Sequence, residues 1–243
     1  MIDWTDNAIV LGARAFGETD AIVTVLSSSN GIVSGLVRGG ASRKRQADFQ
    51  PGVYGKVSWR ARLEEQLGIL SFEVVKAYPN FYLDDRSRLT ALSSFSTMIL
   101  QTLGERDPVP ALFIAYETWL SNLDQDFWAH LFVRLELGLL AAQGFSVDLD
   151  ECALGGDSNR LTHVSPRTGR AVSEELAKPY DGKLLKFPAF LGGTRDLGDE
   201  ELTAGLKLTG TLLLRHSFAP LNRDLPSQRH RLTELLSIPS SDP

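Results

Sequence analysis

The sequence is poor in cysteine, methionine and histidine, and it has no long apolar run. Its 243 residues include one cysteine, two methionines and four histidines. A single cysteine excludes a disulfide framework and fits a reducing compartment. No apolar stretch approaches the roughly 20 residues of a membrane-spanning helix, and the first residues lack the apolar core of a signal peptide. These absences predict a soluble, cytoplasmic protein with no membrane partner.

Motifs that carry covalent chemistry are lacking as well. The sequence has no P-loop, no G-x-G-x-x-G turn that opens a helix after a strand, and no G-x-S-x-G nucleophile elbow. The carboxylate pairs at 64–65, 84–85 and 174–175 fall at predicted turns or helix starts, where acids act as caps. Cys152 is followed at position 155 by glycine, where a C-x-x-C zinc motif has its second thiol. We therefore predict that the protein is not an enzyme and holds no metal or cofactor.

The sequence does have a basic segment within an acidic chain. The formal net charge is −5, yet residues 38–62 contain a single acid, Asp48. Local potential, not net charge, guides a polyanion to a protein surface. The basic residues of this segment are the candidate nucleic-acid-binding residues, with Arg14 as a weaker addition. They are Arg38, Arg43, Lys44, Arg45, Lys56, Arg60 and Arg62.

Aromatic residues lie between these cations. Phe49, Tyr54 and Trp59 could offer faces on which the bases of a single strand stack. In a strand, however, Lys56 and Arg60 share one face and Trp59 points to the other, which makes Trp59 a core candidate too. The alternative interpretation is a solvated basic loop beside ordinary core aromatics.

The first eighty residues have the pattern of β-strands. Five short strands punctuated by glycine, with Asn30-Gly31 as a hairpin turn, predict a small closed barrel of the OB-fold type. An SH3-like barrel fits the pattern less well. Oligonucleotides bind OB-folds across strands 2 and 3 and the adjoining loops. The strands are predicted over residues 8–16, 21–28, 32–39, 51–61 and 67–78.

Beyond residue 79 the apolar period changes to that of helices. The fold class is therefore α+β: an N-terminal five-stranded OB-fold barrel, then an α-helical bundle with a small irregular and hairpin insertion over about 145–193. We place the domain boundary between residues 79 and 80, which gives domains 1–79 and 80–243. Helices are predicted over residues 84–103, 108–123, 126–144, 199–218 and 225–238, and a hairpin over 160–172.

Several segments, in their order and spacing, resemble the RecO family of bacterial DNA-repair and recombination mediators. They are AIVLGARAFGETDAIVTVLSSSNGIVSGLVRGGASRKR near the start, then GLLAAQGFSVDLDECALGG, HVSPRTGRAV and PYDGKLLKFPAFL, and FAPLNRDLPSQRHRL near the end. The resemblance covers nearly the whole chain. It implies an OB-fold followed by a helical domain.

The resemblance also implies a function. Members bind single- and double-stranded DNA, anneal complementary strands, and act with RecR so that RecA loads onto DNA coated by single-strand-binding protein. Contact with the acidic C-terminal tail of single-strand-binding protein is implied, and a nucleotide cofactor is not. We expect the helical domain to make the protein contacts through arginines in or beside its last two helices. They are Arg195, Arg215, Arg223, Arg229 and Arg231.

The sequence departs from the family in one respect. Many members carry a four-cysteine zinc site in the middle region, but here only Cys152 remains, with Gly155 and Ser173 where other cysteines would be expected. The chain thus resembles the zinc-less branch, and we expect packing to hold its irregular region. The residues expected to pack there are Phe145, Leu161, Val164, Phe187 and Phe190.

Two other function classes stay open on the residues alone. One is an OB-fold module that binds RNA, which a preference for structured RNA over single-stranded DNA would favour. The other is an interaction adaptor without annealing activity, whose basic loop contacts an acidic protein. Salt-insensitive protein binding with no affinity for DNA would favour the adaptor.

Overall fold

The computed structural model describes residues 2–63, 66–193 and 197–237. The chain folds into two compact units, Met1–Ser121 and Asn122–Pro243. The domain boundary expected near residue 79 falls within the first unit and stays a prediction. Two elements of the sequence prediction, the carboxylate pair at 64–65 and Arg195, lie outside the described residues. In the three described ranges, no helix is both long and apolar enough to cross a membrane.

The first unit begins with five strands, close to the predicted bounds. They are β1 (Ile2–Phe16), β2 (Asp20–Ser27), β3 (Gly31–Val37), β4 (Val53–Ala61) and β5 (Gly68–Ala77). The strands are hydrogen-bonded in the order β1-β2-β3-β5-β4, and β4 pairs again with β1, so the sheet closes into a barrel. The pair β3–β5 is parallel and the other pairs are antiparallel. The predicted five-stranded barrel is confirmed.

Alternate residues of each strand form the barrel core, because successive side chains of a strand point to opposite faces. In β4, Val57 and Trp59 are buried, whereas Lys56 and Arg60 are exposed. This confirms the two faces predicted for that strand. β1 begins six residues before the predicted start, because its first half alternates exposed polar side chains with half-buried ones and lacks an apolar run.

A carboxylate organises the β2–β3 turn. The side chain of Asp6, from β1, accepts hydrogen bonds from Ser27 Oγ and Ser28 Oγ, both at 2.5 Å, and from the backbone N–H of Ser29 at 2.8 Å. Asn30 Nδ2 donates to it at 3.3 Å. Burial works to raise the pKa of Asp6, but the hydrogen bonds from Ser27, Ser28 and the backbone N–H groups of Ser29 and Asn7 outweigh burial and hold the pKa below its ordinary value. The ionised form is therefore the one that stabilises the turn.

We expect Asp6→Ala to lower the free energy of unfolding by about 1–2 kcal/mol, because several turn donors lose their acceptor. A carboxyl with a depressed pKa contributes stability above its unfolded pKa, and this contribution is lost as the pH falls through the folded pKa. The stability difference between wild type and Asp6→Asn should therefore shrink as the pH is lowered from about 5 towards 2. Urea unfolding across this range measures it. Asp3→Asn, an exposed acid on the same strand, is the control, and an equal effect there would contradict the assignment.

Two helices complete the first unit, α1 (Arg86–Thr102) and α2 (Pro110–Ser121). Asp85 caps α1, because its side chain accepts a hydrogen bond from the N–H of Arg88 at 2.9 Å. The rings of Phe95 and Tyr116 meet edge to face at 4.8 Å and join the two helices. Helix α1 also packs against β1. The barrel and these helices thus share one compact unit.

The second unit consists of helices around a small sheet. Its elements are α3 (Trp128–Ala142), β6 (Leu161–Val164), β7 (Ala171–Ser173), α4 (Glu174–Ala177), β8 (Leu185–Lys186), α5 (Asp199–Leu213) and α6 (Ser227–Ser237). The predicted hairpin is β6–β7, and β8 adds a third strand in the order β7-β6-β8. The predicted helix over 199–218 is α-helical only to Leu213, and a π-helical turn, Leu214–Phe218, follows.

Candidate nucleic-acid interface

Four of the candidate cations lie in the connection between β3 and β4, which we call the basic connection (residues 38–52). Arg38 follows the last residue of β3, and Arg38, Arg43 and Lys44 are exposed. A turn of 3-10 helix, Gln46–Phe49, leads back to the barrel. The guanidinium of Arg45 lies 5.0 Å from the centre of the Phe49 ring and 3.7 Å from Asp48. The connection therefore carries exposed positive charge on a folded segment.

The other three candidates lie on or after β4. Lys56 stands opposite Glu73 of β5, and Arg60 stands opposite Asp3 of β1. Opposite charges at cross-strand positions reduce the positive potential of this face. Arg62 follows the end of β4, about 30 Å of strand away from the basic connection. The seven cations therefore lie in two separate groups, and they do not form a single cluster.

The basic connection is the more positive of these two groups. Its end of the barrel, with the β1–β2 turn, carries five cations, including Arg14, against three carboxylates, Glu18, Asp20 and Asp48. On the outer face of β4, the two cations are matched by two carboxylates. Because the Debye length is about 8 Å at physiological ionic strength, charges at the far end of β4 add little at the connection.

The outer face of β2 and β3 is not available as an oligonucleotide surface at its Leu26–Ile32 end. Leu26 is completely buried and Ile32 is 2% exposed. The segment after α1 covers this end, because the N–H of Arg106 donates to the carbonyl of Ile32 at 2.9 Å and Glu105 forms a β-bridge with Ile32. The expectation that a ligand crosses β2–β3 is therefore wrong for this end of the two strands.

Two of the three aromatic residues between the cations are buried, and the third, Tyr54, is half-buried. Phe49 and Trp59 belong to the barrel core, with exposures of 3% and 0%. Burial and a hydrogen bond with Glu117 raise the pKa of Tyr54 to about 12. Sequence reasoning missed Phe16, which is 48% exposed at the end of β1, close along the strand to Arg14. A phenylalanine next to the glycine of a predicted turn was the available signal.

In the second unit, Arg229 differs from the other partner-binding candidates. Its side chain is 2% exposed and forms a two-bonded ion pair with Glu136, which is completely buried. Arg229 Nη2 donates to Glu136 Oε2 at 2.9 Å and to the carbonyl of Leu206 at 3.0 Å. The hydroxyl of Thr209 donates to the same carboxylate at 2.5 Å. Arg229 joins α3, α5 and α6, so we leave it out of any partner surface, whereas Arg215, Arg223 and Arg231 are exposed.

A cleft of about 540 Å³ lies beside the β6–β7 hairpin. We call it the hairpin cleft. Its apolar walls include Leu154, Val172 and Leu184. The described residues that line it include four cations and no carboxylate: Arg167, Arg170, Lys183 and Arg215. The cleft combines apolar walls with a positive rim, which suits an acidic peptide that carries an apolar side chain.

The surroundings of Cys152 do not fit a four-coordinate zinc ion. Its sulfur lies 3.6 Å from Ser173 Oγ and accepts a hydrogen bond from the N–H of Ser173 at 3.3 Å. Position 155 is a glycine, and no group of three potential ligands occurs within the described ranges. Burial works to raise the pKa of the thiol, but hydrogen bonds from Ser173, Leu154 and Gly156 bring it down to about 7.

Apolar packing surrounds Cys152 where zinc ligands would otherwise be needed. Cys152, Val172 and Ala177 form a small core, against which Leu161 packs. Of the other residues expected to pack in the irregular region, Val164, Phe187 and Phe190 are buried. Phe145 is partly buried and stacks on the ring of His216 at 3.7 Å. The expected packing is confirmed.

Comparison with known proteins agrees with this architecture. The family described as "Recombination protein O N terminal" matches residues 1–78, and "Recombination protein O C terminal" matches residues 83–224. The chain belongs to the RecO family. It is 43% identical to the DNA repair protein RecO of Rhodospirillum centenum, over 96% of this chain and 94% of that protein. The corresponding protein of Hyphomonas neptunium is 42% identical over 98% of this chain and 100% of its own length.

Membership of the RecO family gives the chain a role in DNA repair. A third relative, the DNA repair protein RecO of Rhodospirillum rubrum, is 41% identical over 97% of each chain. Both halves of the chain are therefore those of a RecO protein, including the barrel that carries the basic connection and the helical part that carries the hairpin cleft.

Proposed function

We propose that this protein is a DNA repair and recombination mediator that binds single- and double-stranded DNA and anneals complementary strands. With RecR, it helps to load RecA onto DNA coated by single-strand-binding protein. The observation that carries the proposal is the basic connection, where exposed cations outnumber carboxylates on an otherwise acidic chain. The family's role in DNA repair supports the choice of DNA as the polyanion.

The proposed work is electrostatic, and no covalent bond needs to be broken. Arg38, Arg43, Lys44 and Arg45 neutralise phosphates and release their counterions, which makes binding dependent on salt. Lys56, Arg60 and Arg62 extend the track along β4, and the acids opposite Lys56 and Arg60 reduce the contribution of these two cations. Neutralisation also lowers the repulsion between two strands, so that complementary strands can meet within one complex.

The combined variant Arg43→Ala, Lys44→Ala, Arg45→Ala should bind single-stranded DNA more weakly and with less dependence on salt. Each phosphate contact contributes about 0.7 to the slope of log affinity against log salt, so the slope should become shallower by about 2. Fluorescence anisotropy of a labelled oligonucleotide across a salt titration measures it. Circular dichroism checks that the variant folds.

The matched control is the variant Lys56→Ala, Arg60→Ala, Arg62→Ala, which removes the same charge from β4 and its end. It should reduce the slope by less than 1, because carboxylates stand opposite two of its three cations, Lys56 and Arg60. A larger effect from the control than from the basic connection would move the DNA site onto β4. Failure of the folded wild type to bind any DNA at low salt would refute the proposed function and favour the adaptor.

We propose the hairpin cleft as the site for the acidic tail of single-strand-binding protein. Its apolar walls can take a side chain, and Arg215, Arg167 and Lys183 can form charge-assisted hydrogen bonds with carboxylates. Arg170 is partly engaged, since its Nε lies 3.3 Å from Asp148. Of the exposed partner-binding candidates, Arg215 is the one that lines this cleft.

The variant Lys183→Glu, Arg215→Glu should bind a fluorescent peptide with the sequence of that tail at least about tenfold more weakly, because two charge-assisted contacts become repulsive. Arg223→Glu, Arg231→Glu is the control with the same change of charge outside the cleft. Anisotropy with the labelled peptide compares the two. Equal losses in both variants would show a general charge effect and exclude the cleft as the specific site.

A further inference from the structure

A second cleft, of about 340 Å³, lies at the basic end of the barrel. We call it the β1 cleft. Residues 12–15 of β1 form one wall, and Gly40, Ala41, Gln46 and Gln50 contribute to the other. The buried ring of Phe49 also lines it. Arg14 is exposed in the first wall, so a cation belongs to the cleft itself.

The first wall is a strand edge that is open to a ligand. β4 pairs with β1 only as far as Ile9, and the N–H of Gly52 then donates to the carbonyl of Val10 at 2.9 Å. From Gly12 to Phe16, β2 pairs with one edge of β1, and no strand in the described part of the chain pairs with the other. Alternate N–H and C=O groups of this segment therefore point towards the cleft and need partners.

The cleft is closed at both ends. The basic connection is tied back to the β1–β2 turn by a hydrogen bond from the N–H of Ala41 to the carbonyl of Thr19, at 2.9 Å. The bond from Gly52 to Val10 ties it at the opposite end. The second wall also packs tightly against the barrel at Gly40. A Cβ at this glycine would lie 2.9 Å from the Cβ of Ala21 and 3.0 Å from the carbonyl oxygen of Val37, so the backbone there has no room to move inwards. A continuous peptide strand cannot run through such a space, whereas a single planar group can enter it from one side.

The polar groups of the second wall suit a heterocycle with donors and acceptors on its edge. Gln46 Nε2 donates to the carbonyl of Ala41, and Gln50 Nε2 donates to the carbonyl of Gln46, both at 3.2 Å. Their Oε1 atoms remain as acceptors for a ligand. No carboxylate lines the cleft in the described structure, and three cations of the basic connection, Arg43, Lys44 and Arg45, begin two residues after Ala41. An anionic ligand with a hydrogen-bonding ring matches these features.

We infer that the β1 cleft receives one unstacked nucleobase of a single DNA strand, while Arg14 and the basic connection hold the flanking phosphates. The inference rests on the DNA binding proposed above. It adds a site by which the protein can distinguish single-stranded DNA from duplex DNA. In a duplex, the edge of each base is already paired and stacked, so it cannot enter the cleft. During annealing, the base leaves the cleft when its complement pairs with it, which releases the product.

The test uses the full-length protein and three labelled probes of about twelve nucleotides, within the range that one OB-fold covers. They are an oligothymidine strand, a strand of abasic nucleotides with the same phosphates, and a duplex. Wild type should bind the abasic strand about tenfold more weakly than oligothymidine, a loss equivalent to one or two hydrogen bonds. Ala15→Phe fills the cleft and should remove this preference without changing affinity for the duplex. Ala47→Phe, an exposed alanine of the basic connection outside the lining, is the matched control and should keep the preference.

The possible failures are distinguishable. If Ala15→Phe is folded and still prefers oligothymidine by the wild-type factor, the cleft takes no base, although the proposed DNA binding stands. If Ala15→Phe leaves all DNA affinities unchanged but abolishes binding of a labelled polyglutamate peptide, the cleft belongs to a protein ligand, and the nucleobase assignment is overturned. If wild type binds none of the three probes, the proposed function and the cleft fail together. Should Ala15→Phe not fold, Gln46→Ala, Gln50→Ala tests the same contacts and should reduce the preference at least threefold.

Discussion

Glu136→Ala is expected to lower the free energy of unfolding by about 3–5 kcal/mol, a large fraction of the stability of a typical domain. Glu136 is completely buried and its carboxylate is the counter-charge of Arg229, which is itself 2% exposed. Removing the carboxylate leaves a buried guanidinium with no opposite charge, and water cannot reach it without opening the packing of α3, α5 and α6. Urea unfolding followed by circular dichroism measures the loss.

Two control variants separate burial from charge. Glu174→Ala breaks an exposed ion pair, in which the side chain of Glu174 is 56% exposed and that of Arg160 is 66% exposed. This variant should change the free energy of unfolding by less than about 0.5 kcal/mol. Glu136→Leu combined with Arg229→Met removes both buried charges and should recover most of the stability lost in Glu136→Ala. A Glu136→Ala protein within about 1 kcal/mol of wild type would contradict the role of this pair.

The strands and helices could be predicted because their signals are local. The β-branched runs of β2 and β3, the Asn30-Gly31 turn and the apolar spacing of α1 and α3 each lie within a few residues. The order β1-β2-β3-β5-β4 is not local, since the parallel pair β3–β5 joins residues more than thirty positions apart. The sequence therefore predicts a closed five-stranded barrel without an order for its strands, and the covering of Ile32 by Glu105 and Arg106 has no sequence signal either.

The candidate site was predictable in composition but not in geometry. The basic run was visible, yet only the structure shows that Glu73 and Asp3 stand beside the cations of β4. Arg229 is one of the arginines expected to contact an acidic partner because they lie in or beside the last two helices. The sequence did contain the contrary signal, since Glu136 is an acid within the apolar helix α3 and a buried acid needs a partner. What the sequence could not supply was which cation reaches it.

Trp59→Ala is expected to destabilise the barrel by about 3–5 kcal/mol, because it removes a tryptophan side chain that is completely buried in the barrel core. The indole stacks on Trp4 at 5.7 Å, and its Nε1 donates to the carbonyl of Ser34 at 3.1 Å. Gly68 lies so close that a Cβ there would be 2.3 Å from the ring. Trp59→Phe keeps the apolar core and loses the hydrogen bond, so its cost should be about 1–2 kcal/mol. Urea unfolding of the two variants gives the comparison.

The same variants decide between the two roles that the sequence allowed for Trp59. An indole inside the barrel cannot stack on a base, so folded Trp59→Phe should bind single-stranded DNA with wild-type affinity and salt dependence. Phe16→Ala removes an exposed ring close to Arg14, and base stacking on such a ring contributes about 1–3 kcal/mol, so its affinity should fall at least fivefold. If folded Trp59→Phe lost affinity and Phe16→Ala did not, the stacked base would lie at the Trp4–Trp59 end of the barrel. The basic connection is too far from that end to hold the phosphate of the same nucleotide. The DNA-binding surface would then have to be placed at the Trp4–Trp59 end.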